Sequence, residues 1–259
     1  MSNAITPDTG FHVEANKVHI EAPAKWLKQG WQDFKEAPGV GLTYGIIFLL
    51  AGYAMFWGLK ALDLTYLILP FSGSFILFAP WLCLGLYEVS RQREKGETPT
   101  FSSTKGAWRQ SPRRLGIMAF VLLMFMLIWT QVAVVLYALM MGDASLSLDT
   151  LATDIFSRTD GLIFLATGSF VGMIFAATVF LITAVSVPMI LDRDIDAFDA
   201  MKFSIETVMK NSHVMWSWAF TLGIIAWFAI ATFFIGLIVA MPVLGYASWH
   251  AYRDLVPAD

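Results

Sequence analysis

Between Asn211 and Tyr252 the chain carries no Asp, Glu, Lys or Arg. A single helix of about 42 residues would be a rod of about 63 Å, twice the roughly 30 Å of bilayer hydrocarbon. The run therefore reads as two short spans joined by a tight turn, placed near Thr232 to Gly236. Four further uncharged stretches have spanning length: Gly39–Leu59, Leu64–Tyr87, Leu115–Gly142 and Gly161–Leu191. The expectation is an all-α integral membrane protein with six transmembrane helices.

Composition excludes the alternatives. Hydrophobic residues make up 57% of the 259 residues and charged ones only 14%, against roughly 25% in an average soluble domain. A soluble fold of this size could not hide so much apolar surface. A net charge of −3 argues against nucleic acid as a partner, and one Cys against a disulfide scaffold. The first 20 residues lack the apolar core of a cleavable signal peptide, so the first span is expected to direct insertion. Residues 1–21 read as a polar tail, disordered or loosely draped, and 22–259 as one membrane domain.

Of the 17 basic residues, all but Lys60 and Arg158 fall in the N-terminal segment, in alternate loops or in the C-terminal tail. Cytoplasmic loops are enriched in Lys and Arg, so both termini are expected in the cytoplasm, as an even number of spans requires. The outer loop from Asp143 to Asp160 is acidic.

A layout recurs three times: a short amphipathic stretch expected to form an interfacial helix, a span, and a second span with a late Pro. The amphipathic stretches are Ala22–Ala37, Phe101–Gln110 and Ala197–Lys210, and the prolines are Pro80, Pro188 and Pro242. The repeat units run roughly over 22–95, 100–192 and 194–254. Trp26, Trp31 and Phe34 with Lys28 on the first stretch, and Trp108, Arg113 and Arg114 around the second, are candidates for contact with the membrane interface, lipid or a partner. The plainer reading, a belt fixing the depth of the bundle, is preferred. Gly41 and Gly45, and Gly168 and Gly172 with Ala176, recur every four residues and are candidates for close helix packing.

No span contains an ionisable side chain that could relay protons or counter a moving charge. His213 and His250 sit at span ends, where interfacial residues are more plausible than haem ligands. Asp192, Asp194, Asp196 and Asp199 lack the Gly and terminal Glu of a calcium loop. Asp194 or Asp196 is better read as the cap of the helix that follows. No catalytic, metal or cofactor motif is present, so the chain is expected not to be an enzyme and to need no cofactor.

Three segments carry a family resemblance: APWLCLGLYEVSRQREKGETP from Ala79, VPMILDRDIDAFDAM from Val187 and PVLGYASWHAYRDLV from Pro242. Together they resemble a bacterial family of multi-pass integral membrane proteins of undefined function, some of whose members are labelled cytochrome c oxidase subunits. The resemblance implies a bacterial inner membrane and supplies no site residues. Haem–copper catalysis needs several intramembrane His, which this chain lacks.

Two functional expectations follow. One is a non-catalytic accessory or scaffold component of a larger, respiratory or otherwise energy-transducing, membrane complex, with lipid and other membrane subunits as partners. The other is a passive channel or carrier for a small neutral or lipid-like solute. A polar path would have to be built from Thr43, Ser72, Ser74, Thr130, Gln131, Thr167, Ser169, Thr178, Thr183 and Ser186. Their convergence would favour the second expectation; hydrogen bonds to backbone carbonyls would favour the first.

Overall fold

Proline and charge decide where the helices start, break and stop. The computed structural model describes residues 14–141 and 159–257, and all regular structure among them is helical. Helix α1 (Ala22–Glu36) takes Pro23 in its first turn, where no N–H is needed, and Pro38 begins α2 (Pro38–Ala61). A turn with Asp63 at φ 57° leads through a 3₁₀ turn to α3 (Ile68–Leu82) and α4 (Leu84–Glu94). Next come α5 (Phe101–Thr104), a 3₁₀ turn at Ala107–Arg109, and α6 (Pro112–Met141). The rest are α7 (Thr159–Thr183), α8 (Ser186–Asp192), α9 (Ala197–Lys210), α10 (Ser212–Ala231) and α11 (Leu237–Leu255).

Five segments are long and apolar enough to cross a membrane: Pro38–Ala61, Thr65–Glu94, Pro112–Met140, Thr159–Asp192 and Ser212–Ala231. The uncharged run from Asn211 is two helices, α10 and α11, with the turn at 232–236. Helix α11 is not among the five, because its last third carries His250, Arg253 and Asp254. It nevertheless runs antiparallel to α2: Phe234 meets Gly52, Ile238 meets Gly45, and Tyr246 meets Gly41.

The prolines act in different ways. Pro188 cannot donate to the carbonyl of Ala184, and the helix breaks there between α7 and α8. The gap is filled by Ser204 of α9. Its hydroxyl donates to the Leu181 carbonyl at 2.8 Å and accepts from the Val185 N–H at 3.2 Å, bridging the two groups that a continuous helix would bond directly. In α11, Pro242 leaves the Ile238 carbonyl without its helical donor. Gly45 of α2 packs its Cα directly on that oxygen, which a side chain at position 45 would prevent.

Helix α11 is the hub, packed against α1, α2, α4 and α10, while α6 lies against α3 and α7, and α9 against α7 and α8. Two expectations need correction. The Phe101–Gln110 stretch is not one helix: α5 is a single turn, closed by a Thr100–Ser103 capping box, and Gly106 separates it from the 3₁₀ turn. Residues 14–20 are not loose. The Asn16 N–H donates to the Leu255 carbonyl at 2.8 Å, and the Val18 N–H to Asn211 Oδ1 at 3.0 Å, hooking the segment across the ends of α9 and α11. Residues 1–13 and most of the acidic loop lie outside the described residues.

Candidate functional site: an apolar chamber beneath a charged cap

The charged side chains gather at the end of the bundle where α1, α4, α8 and α11 meet. At the centre is Asp33 of α1, buried. It accepts from Ser90 Oγ at 2.5 Å and Arg93 Nε at 3.0 Å, both on α4, and lies 2.9 Å from His250 Nε2 on α11. Burial alone would raise the Asp33 carboxyl. Hydrogen bonds from His250 and Ser90, the His250 charge and the Arg93 bond outweigh it and hold the group below the usual carboxylate range. Beside it, Glu88 accepts from Arg91 Nε and Gln92 Nε2, each at 2.8 Å. Asp192 accepts from the Tyr252 hydroxyl at 2.8 Å, and Asp254 from Trp26 Nε1 at 2.8 Å and Lys25 Nζ at 2.8 Å. These groups tie four helices together. Among the described residues no group of His, Cys, Asp or Glu is placed to hold a metal ion.

Below the cap, α3, α7, α10 and α11 enclose a chamber of about 590 Å³. That volume lies within the roughly 300–1,000 Å³ of small-molecule sites. Small residues make the room: Ala176 and Ala177 of α7, and Ala219, Gly223 and Ala226 of α10. A Cβ at Gly223 would meet nothing within 4 Å. Met173 to Thr183 on α7 mark its extent, about 15 Å at 1.5 Å per residue, or one leaflet of hydrocarbon. Its edge is open between α7 and α10, where Met173, Phe220 and Trp227 line it and are 62%, 70% and 63% exposed. Its capped end carries Tyr87, Thr183 and Ser248.

The candidate interface residues separate into distinct environments. Trp26 is 0% exposed: it is wedged edge-on against Trp218, with its N–H on Asp254, so it faces the chain's own core rather than lipid or a partner. Phe34 is buried over Gly41, and Trp31, 46% exposed, stacks on it with ring centroids 5.5 Å apart. Lys28 and Arg113 are exposed. Arg114 pairs with Asp194, and Trp108 is half-buried, donating to the Trp81 carbonyl at 3.3 Å. Asp196 caps α9 by accepting from the Phe198 N–H at 2.9 Å.

Of the glycines, Gly41 and Gly45 pack on α1 and α11, and Gly172 faces the Trp129 ring, where a Cβ would come within 2.9 Å. A Cβ at Gly168 would meet nothing within 4 Å among the described residues. Gly30, Gly52, Gly85 and Gly245 are close-packing sites the spacing did not mark; their only signal is a glycine inside a helix. Asp33, Ser90 and Arg93 were also missed, being separated in sequence and joined only when α1 docks.

The polar residues of the spans do not form a path. The hydroxyls of Thr43, Ser72, Thr130, Thr178 and Thr183 each donate to the carbonyl four residues earlier in their own helix, and Ser186 at the start of α8 donates to the Ile182 carbonyl at the end of α7. Ser74 does the same and also meets Thr130 at 3.1 Å. Gln131 and Ser169 are exposed and Thr167 half-exposed; of the ten, only Thr183 lines the chamber.

Residues 67–192, a little under half of the chain, match the family described as "Predicted integral membrane protein (DUF2189)". The match runs from the turn before α3 to the end of α8. It includes two of the four chamber helices and the first of the three segments noted in the sequence. No curated protein and no solved structure matches the chain.

Proposed function

We propose that this integral membrane protein is non-catalytic and holds a lipid-like molecule between α3, α7, α10 and α11. The chamber carries this reading: it is apolar, one leaflet deep and open sideways between α7 and α10, so a chain can enter from the bilayer without crossing water. The topology proposed with it has α11 as a sixth crossing, both termini in the cytoplasm of a bacterial inner membrane, and the cap at the cytoplasmic face. The three-fold layout α1–α2–α3/α4, α5–α6–α7/α8, α9–α10–α11 is proposed as a repeat. A cysteine at Gly236 should react with an impermeant reagent from the outside; labelling only from the cytoplasm would overturn the topology. Gently solubilised protein should retain lipid on native mass spectrometry. Gly223→Trp, which fills the chamber, should lose that lipid and still fold; full retention sinks the reading.

A second reading is the accessory or scaffold component. The outer face of α10 favours it: Phe220, Ile224, Trp227 and Phe228 are exposed on a helix packed mainly against α11 and α1. A membrane partner that co-purifies with the wild type and is lost with Phe228→Ala, a position outside the chamber lining, would support it.

A further inference from the structure

One tyrosine lining the chamber has a hydroxyl that no described residue satisfies. Tyr87 of α4 lines its capped end and is 4% exposed. Its hydroxyl makes no hydrogen bond among the described residues. Buried tyrosine hydroxyls ordinarily find a partner, because an unpaired one has lost water and gained nothing. Nearby, Tyr44 bonds Thr104 at 3.0 Å and Tyr252 bonds Asp192 at 2.8 Å, while the Tyr246 hydroxyl, also without a hydrogen bond among the described residues, lies outside the chamber against Gly41. The other two hydroxyls lining the chamber are engaged, Ser248 with the Leu244 carbonyl at 2.8 Å and Thr183 with the Val179 carbonyl at 2.7 Å.

We infer that the molecule in the chamber bears a hydrogen-bond-accepting carbonyl oxygen at the capped end, and that the Tyr87 hydroxyl donates to it. The inference rests on the reading of the chamber as a lipid-like site. Tyr87 stands one residue before Glu88 of the cap, where hydrocarbon gives way to polar groups. The apolar space extends from there by about 15 Å, one leaflet. An acyl ester matches both dimensions: its carbonyl sits at the boundary and its chain runs down between α7 and α10. A phenol donates one hydrogen bond and an ester carbonyl accepts one. A free fatty acid offers the same carbonyl oxygen with a charge that the chamber lining does not pair.

The test uses full-length protein stripped of lipid by detergent exchange. Equilibrium binding is measured for a fatty acyl methyl ester, the n-alkane of equal length, which has no acceptor, and the free acid. Relative to the alkane, the wild type should prefer the ester by roughly three- to tenfold more than Tyr87→Phe does, the net worth of one hydrogen bond. Tyr87→Phe should bind the alkane as the wild type does and lose that added preference. It should also fold normally, since the hydroxyl makes no hydrogen bond among the described residues; a thermal melt followed by circular dichroism, which does not depend on the chamber-lining Cys83, checks this. An equal preference in Tyr87→Phe and the wild type overturns the inference while leaving the chamber reading intact. Preferential binding of the free acid identifies a carboxylate ligand and overturns the ester assignment. Failure of the wild type to bind any of the three defeats both.

Discussion

Replacing Trp26 and Trp31 separately by Ala should give very different losses, although the two residues lie five apart on one short helix. Trp26 is fully buried, meets Trp218 edge-on with centroids 5.5 Å apart and donates to Asp254. A buried Trp covers about 150–250 Å², so its removal forfeits about 4–6 kcal/mol of apolar burial, in line with the measured range of about 3–5 kcal/mol for such truncations. The orphaned Asp254 oxygen keeps Lys25 as a partner and adds little. Trp31 is nearly half exposed and, among the described residues, stacks on Phe34 alone, so its loss should cost about 1 kcal/mol. The single cysteine provides the assay. Cys83 is 5% exposed at the junction of α3 and α4, so a thiol-reactive fluorogenic dye reports on opening of the bundle during a thermal ramp in detergent. Trp26→Ala should lower the midpoint strongly and Trp31→Ala slightly. Equal shifts, or the larger one at Trp31, would mean that α1 turns its aromatic face to lipid and that the docking described above is wrong.

Gly45→Leu should separate α2 from α11 and destabilise the fold by more than about 3 kcal/mol, because a Cβ there collides with the Ile238 backbone; a wild-type melting curve would refute the close approach. Ser204→Ala should cost about 1–3 kcal/mol by leaving the Val185 N–H and Leu181 carbonyl unpaired inside the bundle, with Ser204→Thr or Ser204→Cys as partial rescues measured by the same dye. Asp33 has a lowered folded-state pKa, so it contributes stability above its unfolded value of about 3.9 that disappears as pH falls through the folded value. The stability gap between wild type and Asp33→Asn should therefore close as pH falls below about 4; a gap that persists at lower pH would refute the assignment.

What the sequence revealed and what it concealed divide along a physical line. Spans are written locally, because an uncharged run of spanning length has one stable home, so helices α2, α6, α7 and α10 fall where the charge-free stretches lie. The turn at 232–236 is legible for the same reason, since a continuous rod would overshoot the bilayer. The direction in which an amphipathic helix turns its aromatics is not local. The face holding Trp26 and Phe34 suits headgroups and a protein groove equally well; what decided it was Gly30, where a Cβ would come within 2.6 Å of the Ala247 nitrogen. The cap is likewise non-local, joining Asp33, Ser90 and His250 across the whole chain. The chamber is a space between helices, and no residue pattern within one helix encodes it.

The Gly168, Gly172 and Ala176 stripe shows why small residues alone could not reveal it. Four residues advance about 400° around an α-helix of 3.6 residues per turn, so each step drifts about 40° and the stripe turns by about 80° from end to end. Its three members therefore meet three different surroundings. A Cβ at Gly168 would meet nothing within 4 Å among the described residues, Gly172 lies against the Trp129 ring, and Ala176 lines the chamber. Leu at each position should consequently give three separate outcomes. Gly168→Leu should leave both stability and lipid retention at wild-type values. Gly172→Leu should lower stability by about 1–3 kcal/mol, because the rigid indole between α6 and α7 has to move. Ala176→Leu should leave stability nearly unchanged while reducing the lipid carried through purification, since the added side chain enters vacant volume. If Ala176→Leu destabilises the protein as Gly172→Leu does, that volume is closed in solution, and the stripe is a packing seam throughout.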